Sequence, residues 1–450
     1  MSSWADRWRK DFPALASKGD RKAIYLDSAC MSLTPREVLT AQEEYYTEFP
    51  GCGGRSVHRW SSEVTDRVET VREEAGRFFG APPRQMINVR NTTEAINLVA
   101  RGISWKRGDV VLVSNQEHNS NLVVWQELQR RTGLRLKILP LPEDAAFDVE
   151  EYQAVLEKGV RLVSFFHGSN LDGRLLPARE IVELAHDHGA QVLLDGSQAA
   201  PHHRLDLERS GPDYYALSLH KMLGPTGTGL LYGRTGSLET LRPLISGGET
   251  VAWTDYRTHQ FLEIPERFEA GLQNYAGILG AGAALRYLAK VDFEELRLHE
   301  TRLQARVDSG VRGLPLVRFG LEKPEDRGSV YNFVLSGIDA HDTALFLDAG
   351  YGVMVRSGMN CVHSWYRSHG YEGSVRASFY LYTTEQEVDQ LVNGLREIVD
   401  RLGPNARVRV RGSSRPSRRA PAPSTRPSHG QTASSSPQGR PRSRGERSSR

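Results

Sequence analysis

Short apolar runs that alternate with longer amphipathic stretches constrain the fold of this sequence most strongly. The strand candidates span residues 109–114, 134–139, 161–166, 191–195, 214–219 and 229–233. Helix candidates lie near residues 92–104, 120–132, 148–158 and 177–189. Because a parallel sheet is covered by helices on both faces, its strands read as continuous apolar runs. The pattern therefore predicts an α/β fold with a mostly parallel sheet.

The order of the elements changes after about residue 290. A long helical stretch at 293–312 precedes strand candidates near 330–336, 352–356 and 375–382 and a last helix near 384–402. A chain of this length exceeds what one hydrophobic core usually spans, so two domains are expected. We predict an N-terminal segment (1–22), a large α/β domain (23–290), a smaller α+β domain (291–402) and a tail (403–450). Residues 1–35 are expected to pack near the smaller domain.

The tail differs from the rest of the chain in composition. From Pro404 to Arg450 it carries 12 arginines and a single acid, Glu446, a net charge of +11 that leaves −8 for the rest of a chain whose total is +3. With almost no apolar residues, we expect this segment to be disordered. A nucleic-acid-binding arm is the alternative to a solvated extension, but no aromatic residues interleave the arginines.

Several classes of protein are not expected. No run of 18 or more apolar residues is present, so no membrane helix is predicted, and the charged N-terminus lacks the apolar region of a secretory signal. The three cysteines cannot form a disulfide framework and lack metal-ligand spacing. We therefore expect a cytoplasmic protein without a metal site, with Cys30 in the core and no assigned function for Cys52.

Lys221 directly follows an apolar strand candidate, in the segment SLHKMLGPTGTGLLYG (218–233). A lysine at a buried strand end can lose its charge and become a nucleophilic amine. A surface lysine in a β-hairpin is the alternative interpretation. The run GPTGTG lacks the GK[ST] ending of a phosphate loop and no helix candidate follows it, so a P-loop is not expected.

Asp195 ends the strand candidate 191–195, and Gln198 follows in the run DGSQ. A buried carboxylate needs a partner, and a protonated pyridine nitrogen is one possibility. A turn or N-cap aspartate is the simpler alternative. The spacing favours a site, because Asp195, Gln198 and Lys221 all lie at carboxyl ends of strand candidates, where open α/β sheets bind ligands.

Two further segments have the same strand–turn–helix pattern. Thr92 and Thr93 fall at a predicted helix start, where exposed N–H groups and hydroxyls suit a phosphate. A plain threonine N-cap is the alternative. His118 follows another strand candidate; a neutral imidazole there could stack on a flat cofactor, although a lone histidine is more often structural.

Together these segments resemble the class V aminotransferase fold family of pyridoxal-phosphate (PLP) enzymes, in particular its cysteine desulfurase and selenocysteine lyase branch. The resemblance covers about residues 22–400. Its landmarks are YLDSA (25–29), NTTEAINLVA (91–100), EHNSNLVVWQ (117–126), DGSQ (195–198), SLHKMLGPTGTGLLYG (218–233), RFEAG (267–271) and VRASFYLYTTEQEVD (375–389). It implies a fold-type I PLP enzyme with a large domain, built on a seven-stranded type of sheet, and a smaller C-terminal domain.

The resemblance also implies roles for individual residues. Lys221 would bind the cofactor covalently and move the α-proton of the substrate. Asp195 would pair with the ring nitrogen, Gln198 with the ring oxygen, and His118 would stack on the ring. The phosphate would be held by four residues, namely Thr92, Thr93, Ser218 and His220. The substrate would be bound by Asn170, Arg376, Arg356 and His58, with Arg376 taking the α-carboxylate.

Cys361 is the residue that favours the cysteine desulfurases within this branch of the family. It lies five residues after Arg356 in VRSGMNCVHSW (355–365), where the assembly-type desulfurases have a persulfide-forming cysteine in an R-[TS]-G-x-x-C motif. A thiolate there could take the sulfur of L-cysteine and leave alanine. A buried spectator cysteine is the alternative.

Some positions depart from the family pattern. Met359 and Asn360 stand where the family usually has histidines, and Leu272 stands where a threonine often reaches the phosphate of the neighbouring subunit. The segment around His58 keeps a VHR match but is shorter than in the assembly-type group. These departures bear on the substrate and the sulfur acceptor more than on the cofactor.

The sequence thus predicts a PLP-dependent cysteine desulfurase that forms a persulfide on Cys361 for a sulfur acceptor. The alternatives are another PLP enzyme of this fold (a selenocysteine or C–S lyase, an epimerase or an aminotransferase) and an inactive fold that acts as a binding module. The resemblance also implies a homodimer. Neither a membrane nor a nucleic acid is expected as a partner, except a nucleic acid through the tail.

Overall fold

A computed structural model describes residues 4–16, 23–157 and 159–402 of the chain. The tail predicted at 403–450 lies outside the described residues. The strands are β1 (Ile24–Tyr25), β2 (Met86–Val89), β3 (Val110–Ser114), β4 (Arg135–Leu139), β5 (Leu162–Phe166), β6 (Gln191–Asp195), β7 (Tyr214–Ser218), β8 (Gly229–Gly233), β9 (Val251–Thr254), β10 (His259–Phe261), β11 (Leu316–Arg318), β12 (Val330–Leu335), β13 (Val353–Met354), β14 (Arg356–Gly358) and β15 (Ser374–Ser378). The helices are α1 (Trp4–Arg9), α2 (Arg36–Glu48), α3 (Arg59–Phe79), α4 (Thr92–Gly102), α5 (Asn119–Thr132), α6 (Val149–Leu156), α7 (Ala178–Asp187), α8 (Leu207–Ser210), α9 (Thr235–Thr240), α10 (Tyr275–Leu288), α11 (Phe293–Gly310), α12 (Ala340–Tyr351), α13 (His363–Ser368) and α14 (Glu385–Leu402).

Seven strands form the large sheet, in the order β2-β8-β7-β6-β5-β3-β4. Only β8 runs antiparallel to its neighbours, so the prediction of a mostly parallel sheet is confirmed. Alternate residues of β3 enter two different cores: Val110 and Leu112 pack in one, Val111 and Val113 in the other. Burial on both faces explains the continuous apolar strands.

The second sheet is antiparallel, with the order β11-β12-β15-β14, and has its own apolar core. Two boundaries differ from the sequence prediction. The strand expected at 375–382 ends at Ser378, because the chain then turns, with the N–H of Thr383 donating to the carbonyl of Tyr380. The strand expected at 352–356 is divided into β13 and β14.

Residues 24–27 of the early segment lie beside the second sheet, as the sequence predicts, whereas Trp8 and Phe12 pack in the main core. β1 pairs in parallel with β13, and Asp27 forms an isolated bridge with Ser378. These pairings place residues 24–30 next to the carboxyl ends of the strands of the large sheet, where Gln198 bonds the carbonyl of Ala29. None of the described helices is long and apolar enough to cross a membrane. The described residues also hold no cluster of three or more His, Cys, Asp or Glu side chains that could bind a metal ion.

Candidate active site

A cavity of about 220 Å³ lies at the carboxyl ends of the central strands of the large sheet. The structure brings eleven of the thirteen predicted site residues to its wall. These are Thr92, Thr93, His118, Asn170, Asp195, Gln198, Ser218, His220, Lys221, Arg356 and Arg376. They come from segments spread over most of the described chain, so only the fold makes them neighbours.

Lys221 lies in a single 3₁₀ turn (Leu219–Lys221) that follows β7. Burial lowers the pKa of its amine, and the carboxylate of Asp195 opposes that shift without cancelling it. A lysine whose charge is disfavoured in this way is available as a neutral nucleophile. The alternative of a surface lysine is excluded, because this side chain lines the cavity.

Asp195 ends β6 and is 5% exposed. Its Oδ1 accepts a hydrogen bond from the N–H of Ser197 at 3.0 Å. Gly196 allows this turn because a Cβ at that position would lie 1.9 Å from Cε1 of Tyr215. A buried carboxylate requires a charged or donating partner, and a protonated pyridine nitrogen meets that need. The site therefore fits the ring of pyridoxal phosphate.

Gln198 and His118 lie on the same cavity wall. Gln198 donates from Nε2 to the carbonyl of Ala29 at 2.7 Å, which joins the turn after β6 to the turn after β1. His118 caps α5, and its Nδ1 accepts from the N–H of Ser120 at 3.1 Å. Burial, reinforced by Lys221 and Arg376, lowers the pKa of His118 to about 3, so the imidazole is neutral. A neutral ring suits stacking on a flat cofactor.

A cluster of hydroxyl groups surrounds the N-terminus of α4. The Oγ1 of Thr92 lies 2.7 Å from Oγ of Ser197 and 2.8 Å from Oγ of Ser218, which also accepts from the Thr92 N–H at 2.9 Å. The hydroxyl of Thr93 is 2.7 Å from that of Ser120, at the start of α5. Hydroxyls and free N–H groups at the start of a helix are suited to a phosphate group.

Arg376 is 1% exposed, and burial lowers its pKa. Its Nη1 donates to the carbonyl of Asn170 at 3.0 Å and its Nη2 to Oδ1 of Asp27 at 3.4 Å. Its Nε is buried and has no protein partner. A fixed guanidinium with a free donor at the cavity wall is well suited to a substrate carboxylate.

Cys361 lies just outside the cavity lining, on a loop with unusual backbone geometry. Asn360 and Cys361 have φ values of +47° and +60°. The loop is tied on both sides, because Asn170 Nδ2 donates to the carbonyl of Asn360 at 2.6 Å and the N–H of Asn119 to the carbonyl of Cys361 at 2.8 Å. Asn tolerates left-handed backbone better than most residues. The departure at Asn360 thus has a structural reason.

His58 is not brought to the cavity of this chain. It is exposed and caps α3, with Nδ1 accepting from the N–H of Ser61 at 3.3 Å. Its role in substrate binding stays a prediction. Leu272 is 67% exposed and lies beside a second surface cavity that Asn274 and Gly227 also line.

Eight further residues line the cavity wall that the sequence did not predict as site residues, namely Ala29, Cys30, Asn91, Ser120, Phe166, Gly168, Ser197 and Asn360. The expectation that Cys30 belongs to the core is wrong. It is half-buried and lines the cavity, because the turn after β1 places it against Arg356, whose Nη1 lies 3.0 Å from its sulfur. Its position five residues after the end of β1, in YLDSAC (25–30), was the available signal.

Comparison with known proteins gives a consistent result. Residues 24–391 match the protein family described as aminotransferase class-V. A probable cysteine desulfurase of Halalkalibacterium halodurans is 36% identical over 403 residues, covering 88% of this chain and 98% of that protein. A cysteine desulfurase of Klebsiella pneumoniae is 37% identical over 414 residues, covering 90% and 100%.

Solved structures agree with the sequence comparison. The apo cysteine desulfurase of Thermococcus onnurineus NA1 superposes with a TM-score of 0.84 at 32% identity, covering 88% of this chain and 98% of that one. The Escherichia coli cysteine desulfurase CsdA, in its S-sulfonic acid form, gives a TM-score of 0.81 at 31% identity with the same coverage.

Proposed function

Because this chain belongs to the aminotransferase class-V family, we propose how its cavity binds pyridoxal phosphate and acts on L-cysteine. The chain is a PLP-dependent cysteine desulfurase, as its relatives and structural neighbours support. The single observation that carries the residue assignment is the convergence of Lys221, Asp195, Gln198 and His118 on one cavity wall.

When bound, pyridoxal phosphate supplies an aldehyde that links to amines and a ring that withdraws electrons from the amino acid. Lys221 is the residue that would hold it covalently, and Asp195 would pair with its ring nitrogen. Gln198 would bind its ring oxygen, and the neutral His118 would stack on its ring. The phosphate would be bound by the hydroxyl cluster and its neighbours, which are Thr92, Thr93, Ser218 and His220.

Substrate binding is assigned to the other side of the cavity. Arg376 binds the α-carboxylate, with Asn170 beside it and Arg356 as a second contact. Lys221 would take the proton from the α-carbon of the substrate, since burial lowers the pKa of its amine and so favours the form that accepts a proton. Both arginines are positioned by residues 27–30. Arg356 contacts the sulfur of Cys30, and Arg376 donates to the carboxylate of Asp27.

The thiolate of Cys361 attacks the sulfur of the bound cysteine. A new S–S bond forms as the bond between sulfur and the substrate β-carbon breaks, which leaves a persulfide on Cys361 and releases alanine after protonation. Arg356, whose Nη2 lies 3.2 Å from the sulfur of Cys361, stabilises the thiolate charge. An acceptor protein or small thiol then removes the sulfur.

We further infer that the protein is a cytoplasmic homodimer. Its three cysteines are free thiols, which fits the reducing environment of the cytoplasm. The β9–β10 hairpin has exposed aromatic side chains, with Trp253 48% exposed and Tyr256 fully exposed, and this surface supports contact with a second copy.

The assignment of Cys361 is tested by the substitution Cys361→Ser. The variant should keep the cofactor absorbance of the wild type but lose alanine and persulfide formation from L-cysteine, because serine is not a sulfur acceptor. Cys52→Ser is the matched control, since Cys52 is half-buried and outside the cavity, and it should retain full turnover. Wild-type turnover in Cys361→Ser would exclude the persulfide mechanism, and pyruvate with ammonia in place of alanine would indicate a lyase.

A further inference from the structure

Arg356 contacts the sulfur atoms of two cysteines. Its Nη1 lies 3.0 Å from Sγ of Cys30 and its Nη2 lies 3.2 Å from Sγ of Cys361. Both nitrogens are bonded to the same carbon, so the two sulfurs occupy neighbouring positions on one cation. Burial acts to lower the pKa of Arg356, but Cys30, Cys361 and Asp27 together raise it above its usual value. The guanidinium therefore stays charged and can stabilise either thiolate.

Cys30 is held firmly in the cavity wall. The N–H of Ala29 donates to Oγ of Ser378 at 2.9 Å, and the carbonyl of Ala29 accepts from Gln198 at 2.7 Å. These bonds tie the turn that carries Cys30 to β15 and to a candidate cofactor-binding residue. Cys30 is also close enough to Lys221 to act on its pKa, opposing the larger lowering effect of burial.

Cys361 contacts the other terminal nitrogen of the same guanidinium, at the margin of the cavity. Its loop is anchored by the N–H of Asn119 and by Asn170, which bonds the carbonyl of the preceding residue. One thiol thus lines the cavity and the other lies at its edge, and both contact Arg356. Neither turn has to open for the two sulfurs to be near one another.

We propose that Cys30 is a second sulfur-carrying thiol, to which the outer sulfur of the Cys361 persulfide is transferred while Arg356 binds both residues. The proposal rests on the proposed function, which supplies that persulfide. The Cys30 thiolate attacks the outer sulfur, a new S–S bond to Cys30 forms, and the S–S bond to Cys361 breaks. Cys361 leaves as a thiolate and the hydrogen stays on the transferred sulfur. One S–S bond replaces another, so the step needs neither oxidant nor reductant.

Transfer to Cys30 frees Cys361 to react with a second molecule of L-cysteine before any acceptor arrives. The holoenzyme mixed rapidly with L-cysteine, without an added thiol, should therefore release about two equivalents of alanine per active site in the initial burst. Cys30→Ser should release about one equivalent, with persulfide on Cys361 alone. Peptide mass spectrometry after alkylation should find persulfide on both Cys30 and Cys361 in the wild type.

Cys52→Ser is the control for the loss of one thiol elsewhere and should keep the burst of the wild type. Cys30→Ala, with cofactor absorbance as the check of folding, guards against a local effect of the serine hydroxyl. A burst of the same size in wild type and Cys30→Ser, or a Cys30–Cys361 disulfide with released sulfide, would overturn the proposal while leaving the desulfurase function intact. No alanine from the wild type would instead contradict the proposed function.

Discussion

Glu117 is a buried acid that supports the site without facing it. It is 2% exposed; its Oε1 accepts from Oγ of Ser114 at 2.6 Å and its Oε2 from Nδ2 of Asn121 at 2.8 Å. It precedes His118 directly, so it fixes the start of α5 against β3. Burial raises the pKa of Glu117 to about 8, because the hydrogen bonds do not compensate for lost hydration.

The raised pKa of Glu117 makes stability depend on pH. The folded state keeps a proton that the unfolded chain releases above about pH 4.5, so this contribution is lost as the pH rises towards 8. Glu117→Gln removes the effect. Between pH 6 and pH 9 the wild type should lose on the order of 2 kcal/mol relative to Glu117→Gln, measured by urea unfolding of both proteins.

The changed hydrogen bonds of Glu117→Gln can also lower its free energy of unfolding by an amount that does not depend on pH. This amount cancels when the values at the two pH values are compared. Equal pH dependence in both proteins would show that Glu117 is already ionised at neutral pH.

The role of a site residue was predictable from sequence where it depends only on the short segment around that residue. Lys221 follows one apolar strand and Asp195 ends another, so their place at the sheet edge could be predicted from local sequence. Cys30 could not be assigned in this way, because its partner Arg356 is 326 positions away. Asn360 likewise gained its explanation only from contacts with Asn170 and the backbone of its loop.

Helix α10 is the element most enclosed by others, and within it only Arg286 is not buried. Its small residues allow close packing: a Cβ at Gly282 would lie 2.4 Å from Cγ2 of Val71 on α3. An evenly apolar helix has no amphipathic period, so the sequence analysis did not detect it.

Two glycine-to-alanine substitutions in helices should have opposite effects. Gly282→Ala gains helix propensity but forces Val71 aside in a packed core, and should destabilise the protein by about 1–3 kcal/mol. Gly350→Ala, in α12, meets nothing within 4 Å and should stabilise it by about 0.5–1 kcal/mol. Thermal unfolding of both variants beside the wild type measures the difference. Stabilisation by Gly282→Ala would show that α3 and α10 can separate without loss.

Six of the seven strands of the large sheet were predictable to within one or two residues, because burial on both faces leaves a continuous apolar run; β2 was not among the candidates. The same rule is wrong after Ser378, where it predicts that the strand continues to residue 382. Tyr380, Leu381 and Tyr382 are apolar and fully buried, yet they pack in the main core from a turn instead of extending the strand. Burial alone does not separate a strand from a buried turn.

At the scale of the whole molecule, a set of buried histidines opposes acidification. Burial is the largest cause of their lowered pKa values, which lie at about 3 or 4. They are His118, His167, His203, His220 and His299. Two buried glutamates, Glu117 and Glu300, have raised pKa values and act in the opposite direction. The histidines outnumber them.

Stability should therefore fall as the pH drops from about 6.5 to 4. In this range the histidines bind protons in the unfolded chain but stay neutral in the folded protein. His299→Gln tests one contribution, since an amide can keep the hydrogen bond from the side chain to the carbonyl of Thr383. The stability gap between wild type and variant should change by about 2 kcal/mol in favour of the variant between pH 7 and pH 5. Thermal midpoints at both pH values provide the measurement, and a gap that does not change with pH would contradict it.

The fold class followed from the alternation of strands and helices, and the two sheets lie in the two regions where the change of pattern predicted separate domains. The order of strands could not be derived in this way. The insertion of β8 between β2 and β7, and the pairing of β1 with β13, depend on contacts between segments that are far apart in the chain.

That last pairing has a consequence for how the protein is made. The turn that carries Cys30 is attached to Met354 and Ser378 through the backbone of Leu26. The segment is synthesised near the beginning, but its partners leave the ribosome only when nearly the whole body is complete. The large sheet can assemble earlier from neighbouring strands. We therefore expect the lysine side of the pocket to form before the sulfur-handling side, so that a nascent chain binds its cofactor before it is able to desulfurate L-cysteine.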